Sequence, residues 1–394
     1  MISVKEAREL IKKNVQTLPM VSIPLSEAGT SVLAEDVLSQ TDIPAFNQSS
    51  MDGYAFHFQD WTLGTGLAIT GVSAAGDAEQ LSVSGARAVR IFTGAPVPRG
   101  TDTVVMQEKT NEVNGVLTIL DEQLEKGANV RLQGTDIKKG QTALTKGTLL
   151  TPAALGFLAG CGIDKLSIYR DPVITIILTG KELQEPGIPL QFGQVYESNS
   201  YALKAGLSQL HIFSVKTTLA DDNLAIVKDR LEKALENSDL VIVTGGISVG
   251  DYDFVLQAAE LCGVEKVFHR IKQRPGKPLY FGKKKEKYVF GLPGNPASVL
   301  TCFYQYVVPA IEMMRGNDPE QKKIIAPLAK AVQKPSALTC FLKGYYDGIK
   351  AMPLDAQESY RLSSFALANC LIQVDEGRSN YDKGEIVSLY MITQ

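Results

Sequence analysis

Four short stretches of this 394-residue chain join charged side chains to turn-forming residues, and each suits the handling of an anion. The first is Thr244-Gly245-Gly246-Ile247-Ser248-Val249-Gly250-Asp251-Tyr252-Asp253, set between an apolar run and a helical pattern. Glycines let the backbone approach a phosphate, and the start of a helix offers unpaired N–H groups. Asp253, close to that start, suits either an N-cap or an oxygen ligand for Mg²⁺. A glycine turn by itself carries little weight. The second stretch holds Arg270, Lys272, Arg274 and Lys277, with Pro275-Gly276-Lys277-Pro278 forcing a tight turn. Arginine brings a fork of donors and lysine a point charge, a pairing that fits a tetrahedral oxyanion; a solvated strand end is the plainer alternative. The third, Leu292-Pro293-Gly294-Asn295-Pro296-Ala297-Ser298, uses prolines to fix backbone angles, either to preorganise a site or simply to connect a strand to a helix. The fourth is Ser49-Ser50-Met51-Asp52-Gly53-Tyr54-Ala55, followed by Thr93-Gly94-Ala95-Pro96 and by Arg131 to Asp136. In isolation Asp52-Gly53 reads as a turn.

The elements that must carry these stretches differ along the chain. Ser3-Val4-Lys5-Glu6 is a capping box, and Ala7, Leu10 and Ile11 continue it as an amphipathic helix. From about residue 20 to 150, short Val- and Thr-rich runs broken by turn residues predict an antiparallel β-rich unit. Thr151-Pro152 predicts a helix that ends at Gly160 or Gly162. Val173–Leu178 and Leu240–Val243 are nearly continuous apolar runs, as strands buried on both faces require. Helices are expected over about 199–209, along Leu224, Val227, Leu231 and Leu235, and along Phe254, Ala258 and Leu261. Further strands are expected at 211–216 and 264–268, which makes a parallel α/β sheet. Tyr280-Phe281 and Tyr288-Val289-Phe290 flank Lys283 to Lys287 as a hairpin with a solvated tip. The helix after Pro296 is expected to bend at Pro309, and the chain after Gly316-Asn317-Asp318-Pro319 to form a small β domain.

Composition narrows the function. Hydrophobic residues make up 44% and charged residues 21%, ordinary for a folded protein. A net charge of −3 argues against a general nucleic-acid binder, so an anion must meet a local cationic cluster. No export signal and no membrane-length apolar run is evident, so cytoplasm is the expected compartment. Five scattered cysteines, with no C-x-x-C, argue against a disulfide framework or a cysteine zinc site, and the three histidines have no metal spacing.

Taken together, Ser50-Met51-Asp52-Gly53-Tyr54-Ala55, Thr93-Gly94-Ala95-Pro96, the Thr244–Asp253 stretch, Pro275-Gly276-Lys277-Pro278 and Leu292-Pro293-Gly294-Asn295-Pro296 resemble the MoeA family of molybdopterin molybdenumtransferases. Its eukaryotic relatives include the gephyrin E domain. The resemblance runs over nearly the whole chain. It implies insertion of molybdate into adenylylated molybdopterin, with Mg²⁺ present and AMP released. It also implies an elongated homodimer whose active site is shared between subunits, with contact to a molybdopterin adenylyltransferase as a further partner. The implied architecture is multidomain α/β plus β. A scaffold domain spans 1–45 and 137–170, and an inserted β-rich domain 46–136. A mostly parallel molybdopterin-binding α/β domain spans 171–316, and a small β-barrel-like domain 317–394.

Carried onto this chain, the resemblance gives Asp52, Thr93, Asp136, Glu182, Asp221 and Asp253 as catalytic positions, the last three of the acids also as metal ligands. It gives Arg131, Gly245, Gly246, Ser248, Arg270, Arg274, Lys277, Pro278 and Ser298 as substrate-binding positions, with Lys343 and Ser359 added from the C-terminal domain. Departures from the family pattern are Lys181 beside Glu182, Thr135 beside Asp136, Arg274 where lysine is common and Lys343 where arginine is common. Three alternatives stand beside this reading. A molybdopterin adenylyltransferase would lack the β-rich half and the C-terminal domain. A gephyrin-like scaffold would carry an appended linker or partner domain. Tungstate is so close to molybdate in size and charge that residue types do not separate them.

Overall fold

The computed structural model describes residues 1–77, 80–247, 254–318, 323–334 and 337–392. Two compact units result: Met1–Val21 with Tyr169–Gln394, and Ser22–Ile168.

In the larger unit the apolar runs become the middle of a six-stranded sheet. Its order is Val215–Ala220, Ile174–Thr179, Leu240–Thr244, Lys287–Leu292, Tyr280–Lys284, Glu265–His269. The first three pairings are parallel and the last two antiparallel, so the sheet is mostly parallel with a hairpin at one side. All six residues of Ile174–Thr179 are buried. Ile176 and Leu178 pack with Leu203, Val299 and Phe303 on one face, while Ile177 joins Val227, Leu231 and Val255 on the other. Helices Asn199–Gln209 and Pro296–Cys302 therefore cover one face, and Leu224–Asn237 and Phe254–Leu261 the other. Full burial of each such Ile, Leu or Val contributes roughly 1.5–3 kcal/mol, which is why continuous apolar runs choose this position. The N-terminal helix Val4–Asn14 opens with the expected capping box, in which Glu6 N–H donates to Ser3 Oγ (3.2 Å) and Ser3 N–H to Glu6 Oε2 (2.7 Å).

Several boundaries differ from expectation. The strand expected at 211–216 lies at Val215–Ala220. His211 instead takes a left-handed conformation (φ 58°) that ends the preceding helix, and Ile212 is buried as a loop residue. The helix after Pro296 is interrupted rather than simply bent: a π-helical turn, Phe303–Val307, separates Pro296–Cys302 from Val308–Met314. Proline has no N–H, so Pro309 cannot supply the donor that a regular helix requires there. The lysine-rich hairpin is only partly a solvated tip, because Lys283 Nζ donates to Asn14 Oδ1 (2.8 Å) and Lys287 Nζ to the carbonyl of Glu236 (3.1 Å).

The C-terminal residues form a second sheet ordered Gln273–Arg274, Thr339–Tyr346, Cys370–Val374, Ile386–Met391, Lys323–Pro327. Its first strand is borrowed from the basic stretch of the α/β domain, Gln273 and Arg274 pairing in parallel with Thr339 and Cys340. The smaller unit holds a six-stranded sheet, Thr103–Met106, Gly53–Phe56, Arg87–Ile91, Gly66–Ser73, Val116–Ile119, Thr110–Val113. It is antiparallel except between Gly66–Ser73 and Arg87–Ile91. Helix Pro152–Gly160 is capped by Thr151, whose Oγ1 accepts from Ala154 N–H. Among the described residues no helix is long and apolar enough to cross a membrane. All five cysteines are free and buried.

Candidate functional site

From Ile174–Thr179 the chain crosses to the neighbouring strand on one side, Val215–Ala220, then returns to Leu240–Thr244 on the other. The carboxyl ends of Ile174–Thr179 and Leu240–Thr244 therefore flank a switch point, the place where open α/β sheets hold ligands. A cleft of about 1140 Å³ opens there, lined by Thr179, Gly180, Glu182, Thr244, Gly245 and Gly246. Arg274, Lys277, Pro278, Asn295 and Ser298 also line it, with Gln357, Ser359 and Tyr360 from the C-terminal domain.

Local chemistry explains the shape. Gly245 (φ +84°) sits against Thr179, where an added Cβ would lie 2.7 Å from Oγ1 and 2.8 Å from the carbonyl oxygen. Only glycine allows both the conformation and that approach. Thr179 Oγ1 in turn donates to the Thr244 carbonyl (3.1 Å), locking the two strand ends together. Asn295 Nδ2 donates to Ser359 Oγ (2.9 Å), so the Pro-Gly-Asn-Pro turn is tied to the C-terminal loop. Asn199 Nδ2 donates to the Gly294 carbonyl (2.9 Å), while its buried Oδ1 has no partner.

The sequence-derived positions divide. Glu182, Gly245, Gly246, Arg274, Lys277, Pro278, Ser298 and Ser359 line the cleft. Asp221 does not; it borders a separate small depression with Asp229 and Arg230, and its neighbour Asp222 lines the cleft instead. Arg270 is also outside, its backbone bonded to Leu279 and Ile2. Lys343 is 3% exposed and donates through Nζ to the carbonyls of Ala356 (2.6 Å), Arg361 (3.0 Å) and Glu358 (3.3 Å). With all three ammonium hydrogens engaged, it holds a loop of the cleft wall rather than reaching into the cleft. Burial lowers its pKa, with Glu358 opposing. Ser248 and Asp253 lie outside the described residues.

The remaining positions belong to the smaller unit. Asp52 Oδ1 accepts from Thr93 N–H (2.7 Å) and Thr93 Oγ1 (2.8 Å), which keeps the carboxyl below its usual range. Arg131 and Asp136 border a hollow of about 440 Å³ with Asp42 and Gln48. Asn199, Asp222, Gln357 and Tyr360 were not singled out from sequence. Asp222 had a signal in the acidic pair at a strand end, whereas Gln357 and Tyr360 sit in a loop with no motif.

Among the described residues no three His, Cys, Asp or Glu side chains gather as a metal site. The carboxylates lining the cleft are Glu182, Asp222 and Glu358, the last paired with Arg361 Nε (3.2 Å). That donor set suits Mg²⁺, which takes one or two carboxylates together with substrate phosphate and water.

A mostly parallel sheet with a glycine turn and a basic turn lining a cleft at its switch point defines an α/β protein whose candidate site carries local positive charge. Comparison with known proteins makes this specific. Residues 2–162 match the MoeA N-terminal region (domain I and II), residues 175–313 the family described as "Probable molybdopterin binding domain", and residues 326–392 the MoeA C-terminal region (domain IV). A molybdopterin molybdenumtransferase of Haemophilus influenzae is 36% identical over 99% of this chain and 98% of its own. One of Staphylococcus epidermidis is 32% identical over 99% of this chain and 95% of its own. The crystal structure of a molybdopterin biosynthesis MoeA protein from Pyrococcus horikoshii superposes with a TM-score of 0.86 at 29% identity, over 100% of both chains. The chain belongs to the molybdopterin molybdenumtransferase (MoeA) family, transferases of molybdenum cofactor biosynthesis.

Proposed function

We propose that this protein inserts molybdate into adenylylated molybdopterin and releases AMP. The observation that carries the reading is that the glycine turn at Gly245 and Gly246 and the basic turn at Arg274 and Lys277 line one cleft. In that reading Gly245 and Gly246 leave room for a substrate phosphate beside the backbone. Arg274 and Lys277 hold the oxyanion by charge-assisted hydrogen bonds. Ser298 and Ser359, lining the same cleft, orient it. Glu182 and Asp222 would hold Mg²⁺ with substrate phosphate oxygens, and the ion would neutralise charge between two anionic reactants.

The same proposal has two copies of the chain complete each site, with Asp52, Thr93, Arg131 and Asp136 of one subunit serving the cleft of the other. It retains the four-part division at 1–45 with 137–170, 46–136, 171–316 and 317–394. Asp52, held ionised by Thr93, suits the positioning of a water or of a metal-bound phosphate.

Incubation of the purified protein with adenylylated molybdopterin, Mg²⁺ and molybdate tests the reaction, with AMP followed over time. Absence of molybdate-dependent AMP release defeats it. Mixing impaired Asp52→Ala and Lys277→Ala subunits tests the shared site. Recovery of activity is expected, and none means that each cleft works alone.

A further inference from the structure

The basic turn is held from behind by a side chain with no assigned role. Gln273 is fully buried, and its Nε2 donates to the carbonyls of Pro275 (3.0 Å) and Gly276 (3.2 Å). Its Oε1 accepts from the hydroxyl of Tyr306, which is also fully buried. This last contact fixes the carboxamide: with Oε1 committed to the phenol, Nε2 must face the carbonyls, and the flipped amide would set oxygen against oxygen. Burial pushes the Tyr306 phenol far above its usual pKa, so it stays a donor. Gly276 packs so closely on Gln273 Nε2 and Cys302 Sγ that a Cβ would collide with both.

Peptide geometry carries this to the cleft. The Pro275–Gly276 and Gly276–Lys277 peptides are trans, so each C=O and its N–H point in opposite directions. Drawing the carbonyls of Pro275 and Gly276 toward Gln273 turns the N–H groups of Gly276 and Lys277 away from it. Both residues line the cleft. Pro275 and Pro278 have no N–H, so these two amides are the donors that the turn can present. The Lys277 carbonyl is held as well, by Ile271 N–H (2.9 Å).

We propose that Gln273, oriented by Tyr306, is a positioning residue for the oxyanion. It aims the backbone N–H groups of Gly276 and Lys277 into the cleft beside the Arg274 and Lys277 side chains. The inference rests on the reading of the cleft as a molybdate site. A cradle of this kind adds two directed donors to two flexible cations, and directed donors discriminate a tetrahedral oxyanion from a plain negative charge.

The test uses the full-length protein and three variants. Gln273→Met keeps the volume and loses the amide. Gln273→Glu can still accept from Tyr306 but opposes the two carbonyls. Tyr306→Phe removes only the hydroxyl. With adenylylated molybdopterin saturating, both Gln273 variants are expected to raise the molybdate KM about ten-fold, with kcat within about two-fold and the pterin KM unchanged. Tyr306→Phe is expected to shift the molybdate KM about three-fold in the same direction. Calorimetric titration of each protein with molybdate alone is expected to follow the same order.

An unchanged molybdate KM in a variant with wild-type melting behaviour overturns the inference, as does a fall in kcat at constant KM. Should a Gln273 variant fail to fold, Tyr306→Phe decides by the same criterion. A wild-type protein that binds molybdate but releases no AMP defeats the proposed reaction, and the calorimetric order then decides the inference alone. A wild-type protein that does neither overturns both.

Discussion

Two loops meet at the cleft, and each brings a lysine. In the turn Arg274–Pro278, from the α/β sheet, Lys277 is exposed and lines the cleft. In the loop around Ser359, from the C-terminal sheet, the lysine beneath it, Lys343, is buried and gives its ammonium to three carbonyls of that loop. One cation lines the cleft, whereas the other braces its wall. The difference follows from supply: a loop with several unpaired carbonyls draws a cation inward, while a turn whose carbonyls are already met by Gln273 and Ile271 leaves its cation outside.

The contrast can be broken at its largest difference first. Lys277→Ala is expected to lower kcat/KM for molybdate by about a hundred-fold with little change in melting temperature, since charge-assisted hydrogen bonds contribute about 1.5–3 kcal/mol. Lys343→Met is expected to do the reverse. Orphaning three carbonyls costs about 2–4 kcal/mol, read by denaturant titration. Stability retained together with lost molybdate binding would make Lys343 a ligand and end the distinction.

Asn295→Ala cuts the bond that ties the Pro293–Pro296 turn to the loop around Ser359. It is expected to cost about 1 kcal/mol and to speed hydrogen exchange in residues 354–361 without touching either lysine. The smallest effect lies in the other unit. Asp52 has a lowered pKa, chiefly from the Thr93 N–H and next from its hydroxyl. A carboxylate of this kind favours the fold above its unfolded pKa and loses that contribution as pH falls through its folded value. Thr93→Val keeps the N–H and removes the hydroxyl, so an NMR titration should find the Asp52 pKa raised only part of the way. An unchanged value would leave the hydroxyl without influence there.

How much of this was readable from residue order depends on the range of the interaction. Ile174–Thr179 announces itself because burial on both faces favours apolar residues, and only Thr175 and Thr179 depart from Ile or Leu. Helix Pro152–Gly160 does so because Thr151 and Pro152 act within one turn. The cleft was foreseeable to the extent that glycine and basic turns sit at strand ends. Asp221 and Asp222 were not separable, because adjacent residues at the end of a strand diverge and only the built chain shows which one reaches the cleft. Lys343 entered as a ligand through the family resemblance alone, and its carbonyl partners, 13 to 18 residues away in a loop without a pattern, left no sign of a bracing role. Gln273 looked unremarkable beside four cations, and only its depth under the turn distinguishes it.

The pairing of Gln273–Arg274 with Thr339–Cys340 has a consequence for how this chain can be cut or recombined. A fragment stopped before Lys323 would retain every strand of the α/β sheet, yet the edge on which its basic turn is hung would be gone. The two modules thus share a structural seam, and a hybrid that swaps either must carry it across.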